Sequence, residues 1–414
     1  MSTGALTLTS IRSGGERTAQ WAVVALGFSI PISVALDNVL LAVVLAGWLA
    51  AGNFRETWQF VARSRTALAA LILYGLLLAG TLYGERESGD IGRTLTKYVD
   101  LLFIPLFAVL LRDAARRRLA LLGFAAALGL VLVLSYLVAI GVPFPRWMVV
   151  GDTTNPAVFK HYLTHGILLA YGAFLFVEMA LAAATPRERA GWLAAALFAA
   201  LNVMIMMQSR TGHVILVVLA LYLGYRLRRW TGLAIATAAV ATIIVLLAQL
   251  PGIFQERYGL VKGDWASSQA SVWAKESNQQ RRDYYLASLA IIKDHPLAGV
   301  GTGGFARAYA DQTHGKSASQ TRNPHNEYLH IAVQLGMIGF AALLWLFWQH
   351  WRESSRLASQ LECHLSRGLL LAIAVGCLFN SLLLDHTEGL LYAWLTGILF
   401  GGLQSGNDGT SAQA

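Results

Sequence analysis

Charge is what this sequence has least of. Asp, Glu, Lys and Arg make up 13% of its 414 residues, about half the share of an ordinary soluble domain. Hydrophobic residues make up 56%, and the mean hydropathy is +0.53. A water-soluble body is excluded for most of the chain, whose solvent is lipid. Cysteine is nearly absent: Cys363 and Cys377 fall in a predicted cytoplasmic loop and an apolar run, which leaves neither a disulfide framework nor a zinc site. The first apolar run lacks a small-residue cleavage pattern. It ends in Leu36-Asp37-Asn38 with a second run directly behind it, so it reads as a retained span and not a signal peptide. The formal net charge of +9 would suggest nucleic acid in a soluble protein. Here there is no nucleic-acid motif, and most of the Arg sits in short turns between apolar runs. The glycine run Gly299-Val300-Gly301-Thr302-Gly303-Gly304 lacks the Lys and Ser of a P-loop, which rejects a nucleotide site.

What is present is a series of apolar blocks of about 20 residues, the length that crosses a bilayer as a helix. They fall at 20–36, 37–51, 65–84, 97–112, 117–141, 161–183, 191–208, 211–226, 230–250, 326–350, 366–384 and 387–404. The fold class is therefore all-α, a polytopic membrane protein with about 12 transmembrane helices in a single membrane domain, 1–414. The first two blocks share a break at Pro31 and read as a helical hairpin. With the N-terminus in the cytoplasm, the cytoplasmic turns carry Arg55, Arg63 and Arg65; Arg112 and Arg116 to Arg118; Arg187 and Arg189; Arg226, Arg228 and Arg229; then Arg352, Arg356 and Arg367. The opposite short turns are poor in Lys and Arg, the positive-inside pattern, and both termini are cytoplasmic. One connection is long, 251–325, and lies on the outer side. Within it Ser277-Asn278-Gln279-Gln280 reads as a capping box opening a helix from about 278 to Asp294, stopped by His295-Pro296. Leu286, Leu289 and Ile292 with Arg281, Arg282 and Lys293 suggest that this helix lies along the membrane surface. The 143–160 stretch is a second, shorter outer loop, and the 405–414 tail is Gly/Ser-rich and disordered in this reading.

Candidate chemistry lies among the outer charges, since the cytoplasmic Arg are explained by topology. Arg210, in Gln208-Ser209-Arg210-Thr211-Gly212, stands between two apolar runs with almost no loop between them. A charge at membrane depth costs roughly 2.5–3.5 kcal/mol on insertion scales and usually faces a cavity or a partner; the bland alternative is a side chain snorkelling to the headgroups. His325 lies in Arg322-Asn323-Pro324-His325-Asn326-Glu327-Tyr328-Leu329-His330. Pro324 places it in the first turn of a helix, and histidine takes a proton near neutral pH. Arg322 and Asn326 support it. Arg282 stands on the expected surface helix, where a merely solvated face is the competing reading. Lys97 and His161 fall at span entrances within reach of a lipid phosphate, and Arg146 is a further outer basic residue. The outer loops hold no Asp-x-Asp pair and no His/Cys cluster. Guanidinium groups, whose planar fork binds phosphate oxygens bidentately, would then hold a diphosphate where other proteins use a metal ion, with no cofactor.

Ser209-Arg210-Thr211-Gly212, the long loop with Arg282 and Asp294-His295-Pro296-Leu297-Ala298-Gly299-Val300-Gly301, and His325-Asn326-Glu327-Tyr328-Leu329 followed by Gly336 together resemble the O-antigen ligase and polymerase superfamily. The resemblance covers roughly 200–345. It implies a lipid-dependent glycosyltransferase (GT-C-like) fold with one long periplasmic loop, in the bacterial inner membrane, with its active site on the periplasmic side. The implied reaction moves an O-antigen polysaccharide from undecaprenyl diphosphate to a sugar hydroxyl of lipid A–core, completing lipopolysaccharide. His325 would be the base, and Arg210 and Arg282 would bind the diphosphate, with inversion at the anomeric carbon. The alternatives are an O-antigen polymerase joining carrier-linked repeat units and, from another class, a lipid-linked glycan transporter. A transporter is disfavoured because its ionisable residues belong at mid-membrane, with repeat symmetry, and here they cluster at the outer ends.

Overall fold

The structure is a computed structural model that describes residues 3–84, 88–249, 269–315 and 320–403. Among these the chain is helical or in turns, with three isolated bridges and no strand. The helices are α1 (Thr3–Ser29), α2 (Val34–Ala51), α3 (Phe54–Arg63), α4 (Arg65–Ala79), α5 (Ser88–Tyr98), α6 (Phe103–Leu110), α7 (Ala114–Ala139), α8 (Tyr162–Ala182), α9 (Pro186–Leu201), α10 (Arg210–Gln249), α11 (Gln269–Asp294), α12 (Phe305–Gln312), α13 (Glu327–Ser354), α14 (Gln360–Gly376) and α15 (His386–Phe400). Many begin where side chains satisfy the first backbone N–H groups. Ser33, Ser64, Asp113, Thr185, Asn326 and Ser359 each accept a bond from a backbone N–H two or three residues on.

Among the described residues six helices are long and apolar enough to cross a membrane, or seven if the bent pair α3–α4 is one span. This is a smaller number than the twelve apolar blocks, for two physical reasons. Some apolar blocks form shorter helices: α15 runs only from His386 to Phe400, and every residue from Thr387 to Phe400 is buried, so protein surrounds it. Others are joined. Within α10, Arg228 and Arg229 leave helical geometry, and a Cβ on Gly224 would lie 2.6 Å from the Gly232 carbonyl oxygen. The chain folds back tightly there, between the blocks expected at 211–226 and 230–250.

Helix α1 extends back to Thr3, well before the expected start at 20, and pairs with α2 across the Pro31 turn, where Ser29 Oγ donates to Asp37 Oδ1 at 2.6 Å. Central α15 packs Trp394 against Phe124, and the indole N–H donates to Val23 O at 2.8 Å. At the α3–α4 corner, a bend of 100°, buried Glu353 of α13 accepts from Ser64 Oγ at 2.8 Å, Arg65 N at 2.6 Å and Thr66 N at 3.0 Å. Cys363 and Cys377 are both buried, on α14 and at its C-terminal cap, so Cys363 is helical and not in a loop.

The glycine motif closes a gap in a broken helix. Inside α13, Gly336 has φ 62° and ψ −159°, a conformation that interrupts the helical ladder and that a side chain disfavours. Segment 296–303 fills the break. Met337 N donates to Pro296 O, Val300 N to Val333 O and Gly301 N to Gln334 O, all at 2.8–2.9 Å, and Gly303 N donates to Gln334 Oε1 at 2.7 Å. Thr302 reaches the end of α4 through Gly80 O and Leu77 O. Irregular backbone is tolerated at such depth when protein satisfies it, and both halves of the sequence motif are needed to do so. Helix α11 ends at Asp294 but begins at Gln269, so Ser277 lies inside it and the expected capping box does not open it. Residues 250–268 of the long connection and the 405–414 tail lie outside the described residues.

Candidate functional site

Arg210 is the first residue of α10 and is exposed. Ser209, buried beneath it, accepts from Gly212 N at 3.1 Å, a side-chain cap on the helix start. Gly212 packs on Gly166 of α8, where an added Cβ would lie 2.9 Å from backbone. An arginine here sits at the positive end of a helix dipole, which favours anions.

His325 is not in the first turn of its helix. Asn326 is the N-cap of α13, accepting from Leu329 N at 3.0 Å, and His325 precedes it with φ 53°. Pro324 therefore closes the loop and does not open the helix. The His325 backbone N–H donates to Asn323 Oδ1 at 2.8 Å. Its ring is half-buried, 6.1 Å from that of Tyr284. Burial, reinforced by the charge of Arg281, lowers its pKa below the ordinary imidazole value, so the ring is held neutral and able to accept a proton.

The two candidates meet through the loop between α14 and α15, which the sequence reading did not single out. Asn380 Nδ2 donates to Thr211 Oγ1 at 2.9 Å, and the next residue, Ser381, donates through Oγ to Asn323 Oδ1 at 2.7 Å. The Leu378 carbonyl accepts from Asn326 Nδ2 and from the Tyr285 hydroxyl, each at 3.0 Å. Glu327 is anchored from both sides, accepting from the Tyr98 hydroxyl and from Leu383 N. The same loop thus touches the residue after Arg210, the turn that holds His325 and the helix α11.

On α11 Tyr285 touches this loop, and the inward face carries Tyr284 and Ser288, which are buried, and half-buried Arg281. Arg282 is exposed on the other face with Leu286 and Leu289. Adjacent helical residues differ in direction by about 100°, so Arg281 and not Arg282 is the basic residue whose field acts on His325.

The remaining sequence candidates separate. Lys97 pairs with Asp385 at 3.9 Å, and Arg322 with Asp90 at 3.5 Å. Lys97 belongs to a second cluster, in which His386 stands between Asp37 and Asp100 at 3.9 and 3.7 Å and buried Lys160 lies 3.9 Å from Asp37 and 3.2 Å from Thr387 Oγ1. Burial lowers the Lys160 pKa, opposed by the charges of Asp37 and Glu388, and raises that of Asp385 against the pull of Lys97. Arg146 and His161 are exposed on the connection between α7 and α8; it is the neighbouring Lys160 that reaches the cluster. The signal for Asp385-His386 was in the sequence. Ionisable residues in a turn between two apolar runs are what singled out Arg210.

Bundled apolar helices with ionisable side chains gathered at the loop ends define a multi-pass membrane protein with a polar site at one end. Residues 195–344 match the family model described as O-antigen ligase. The matched segment runs from α9 into α13 and includes Arg210, Arg281, Arg282, His325 and Gly336. No curated protein matches the chain.

Proposed function

We propose that the protein is an O-antigen ligase of the bacterial inner membrane. In this reading it transfers a glycan from undecaprenyl diphosphate to a sugar hydroxyl of lipid A–core, at a periplasmic site with both termini in the cytoplasm. The long connection is the periplasmic loop of a GT-C-like bundle, with α11 along the membrane surface. Exposed Leu286, Leu289 and Leu297 at its outward side suit contact with acyl chains. A single observation carries the reading: consecutive side chains of one loop, Asn380 and Ser381, tie the α10 start that bears Arg210 to the turn that bears His325.

The chemistry follows from the residue types. Arg210 grips the diphosphate oxygens and the α10 N-terminus adds its dipole, while Arg282, on the exposed face of α11, meets the carrier diphosphate from the lipid side. Lys97 and Arg322, held by Asp385 and Asp90, and exposed Arg146 and His161 offer N–H donors to the carrier head. As the acceptor oxygen bonds to the anomeric carbon, His325 takes the hydroxyl proton. The bond from that carbon to the diphosphate oxygen breaks, the carrier diphosphate departs with the bonding pair, and the configuration inverts. Fixed guanidinium groups in a site of low dielectric stabilise the departing charge without reorganisation.

The test is transfer in vitro from carrier-linked glycan to lipid A–core by the purified protein without nucleotide. Ligation gives lipid A–core bearing polymer. Growth of the carrier-linked glycan in its place would identify a polymerase, which shares the family. Movement of the lipid-linked glycan across a vesicle membrane with no new bond would identify a transporter.

A further inference from the structure

The glycine loop that fills the α13 break also forms the floor of a cleft. The cleft lies between the end of α11, the loop, α12 and the end of α4, with a volume of about 550 Å³, within the usual range for ligand pockets. Polar groups line it from two sides: Asp294 and His295 at the end of α11, and Arg307, Asp311 and Gln312 along α12. Gln312 Nε2 donates to Asp294 Oδ2 at 3.1 Å across the cleft. Tyr83, whose hydroxyl donates to Ala298 O at 2.8 Å, holds its ring at one edge, and Ile291, Val300 and Ala308 supply apolar surface between the polar groups.

The lining chooses among ligands. Two carboxylates against one guanidinium repel a polyanion, so this is not a second diphosphate site. An acyl chain offers no hydrogen bond to a polar lining, and each polar group it covered and left unsatisfied would cost about 1–3 kcal/mol. A ligand dense in hydroxyls with apolar C–H faces matches both halves of the lining. Carboxylates and the carboxamide accept or donate at hydroxyls, and an aromatic edge with small aliphatic groups takes a ring face. Position agrees: Asp294 is ten residues along α11 from Tyr284, which touches the His325 ring, or about 15 Å at helical rise.

We infer that this cleft binds a neutral saccharide segment of the carrier-linked glycan several sugars away from the reacting bond, and so selects long glycans over single units. The inference rests on the proposed transferase reading for its substrate.

Two experiments test it. The first compares KM for donors bearing one sugar and many sugars in the wild type and in Ala308→Trp and Asp311→Ala. The expected result is a KM for the long donor raised at least tenfold in both variants, with kcat and the single-sugar KM within twofold of wild type. An unchanged long-donor KM overturns the cleft. The second does not require turnover. A benzophenone amino acid in place of Ala308 is photolysed with radiolabelled carrier-linked glycan extracted from a strain lacking this protein. Label incorporated into the protein, and competed by the glycan released from its carrier, supports the cleft; its absence overturns it. Crosslinking without any transfer by wild type would sink the transferase reading and leave the cleft standing.

Discussion

Asn380 donates its side-chain amide to the hydroxyl of Thr211 at 2.9 Å, joining the loop before α15 to the start of α10. Its neighbour Ser381 reaches the turn of His325. If this bridge sets the distance between the diphosphate site and the base, Thr211→Ala and Asn380→Ala each lower kcat/KM about fivefold, the worth of one hydrogen bond of about 1 kcal/mol. The double variant is then no worse than the weaker single. Additive losses in this cycle would show that the two residues act independently.

His325→Ala lowers transfer by about 10²–10⁴, the usual contribution of a general base, with thermal unfolding unchanged. Because burial and Arg281 lower the His325 pKa, the neutral, active form persists to lower pH. The acid limb of the kcat/KM profile therefore has its midpoint below about 6.5, the ordinary histidine value. Wild-type rates in His325→Ala would remove it from the chemistry.

Arg281→Gln acts in the opposite direction on the same limb. Removing a positive charge near the ring makes protonation easier, so the midpoint rises towards about 6.5 and the rate at alkaline pH is retained. Arg282→Gln does not move the midpoint but raises KM for the donor. A midpoint shift in the Arg282 variant and none in the Arg281 variant would reverse the facing assigned to α11.

Arg210→Lys keeps the charge and loses the planar fork. A loss of at least about tenfold, or ~1.4 kcal/mol, is expected in kcat/KM, and excess EDTA leaves the wild-type rate unchanged. Inhibition by EDTA that is restored by a divalent cation would mean that a metal and not guanidinium holds the diphosphate.

Gly336→Ala places a methyl group where φ is 62° and where the Leu297 carbonyl already lies in contact. The strain alone costs about 1–3 kcal/mol, and the loop must also move. The expected outcome is a lower unfolding temperature in detergent and loss of transfer together. Gly75→Ala, where a Cβ meets nothing within 4 Å, serves as the control and changes neither.

The sequence by itself determined the solvent, the helical class and the family signature, because each is local or additive. Scarce charge and apolar blocks require helices in lipid, whatever their packing. The Ser209-Arg210-Thr211-Gly212 turn and the His325 motif are short enough to read directly. Tertiary structure decided which basic residue of an adjacent pair faces the histidine, since Arg281 and Arg282 differ only by the rotation of a helix whose start lay earlier than its capping signal suggested. It decided that Lys97 and Arg322 have carboxylate partners contributed by distant segments, Asp385 and Asp90. It also gave the glycine run its purpose, because the gap it fills at Gly336 exists only once α13 is broken and α4 is packed beside it. Contacts between residues hundreds of positions apart leave no periodicity in the chain, and they become legible only when the backbone has brought them together.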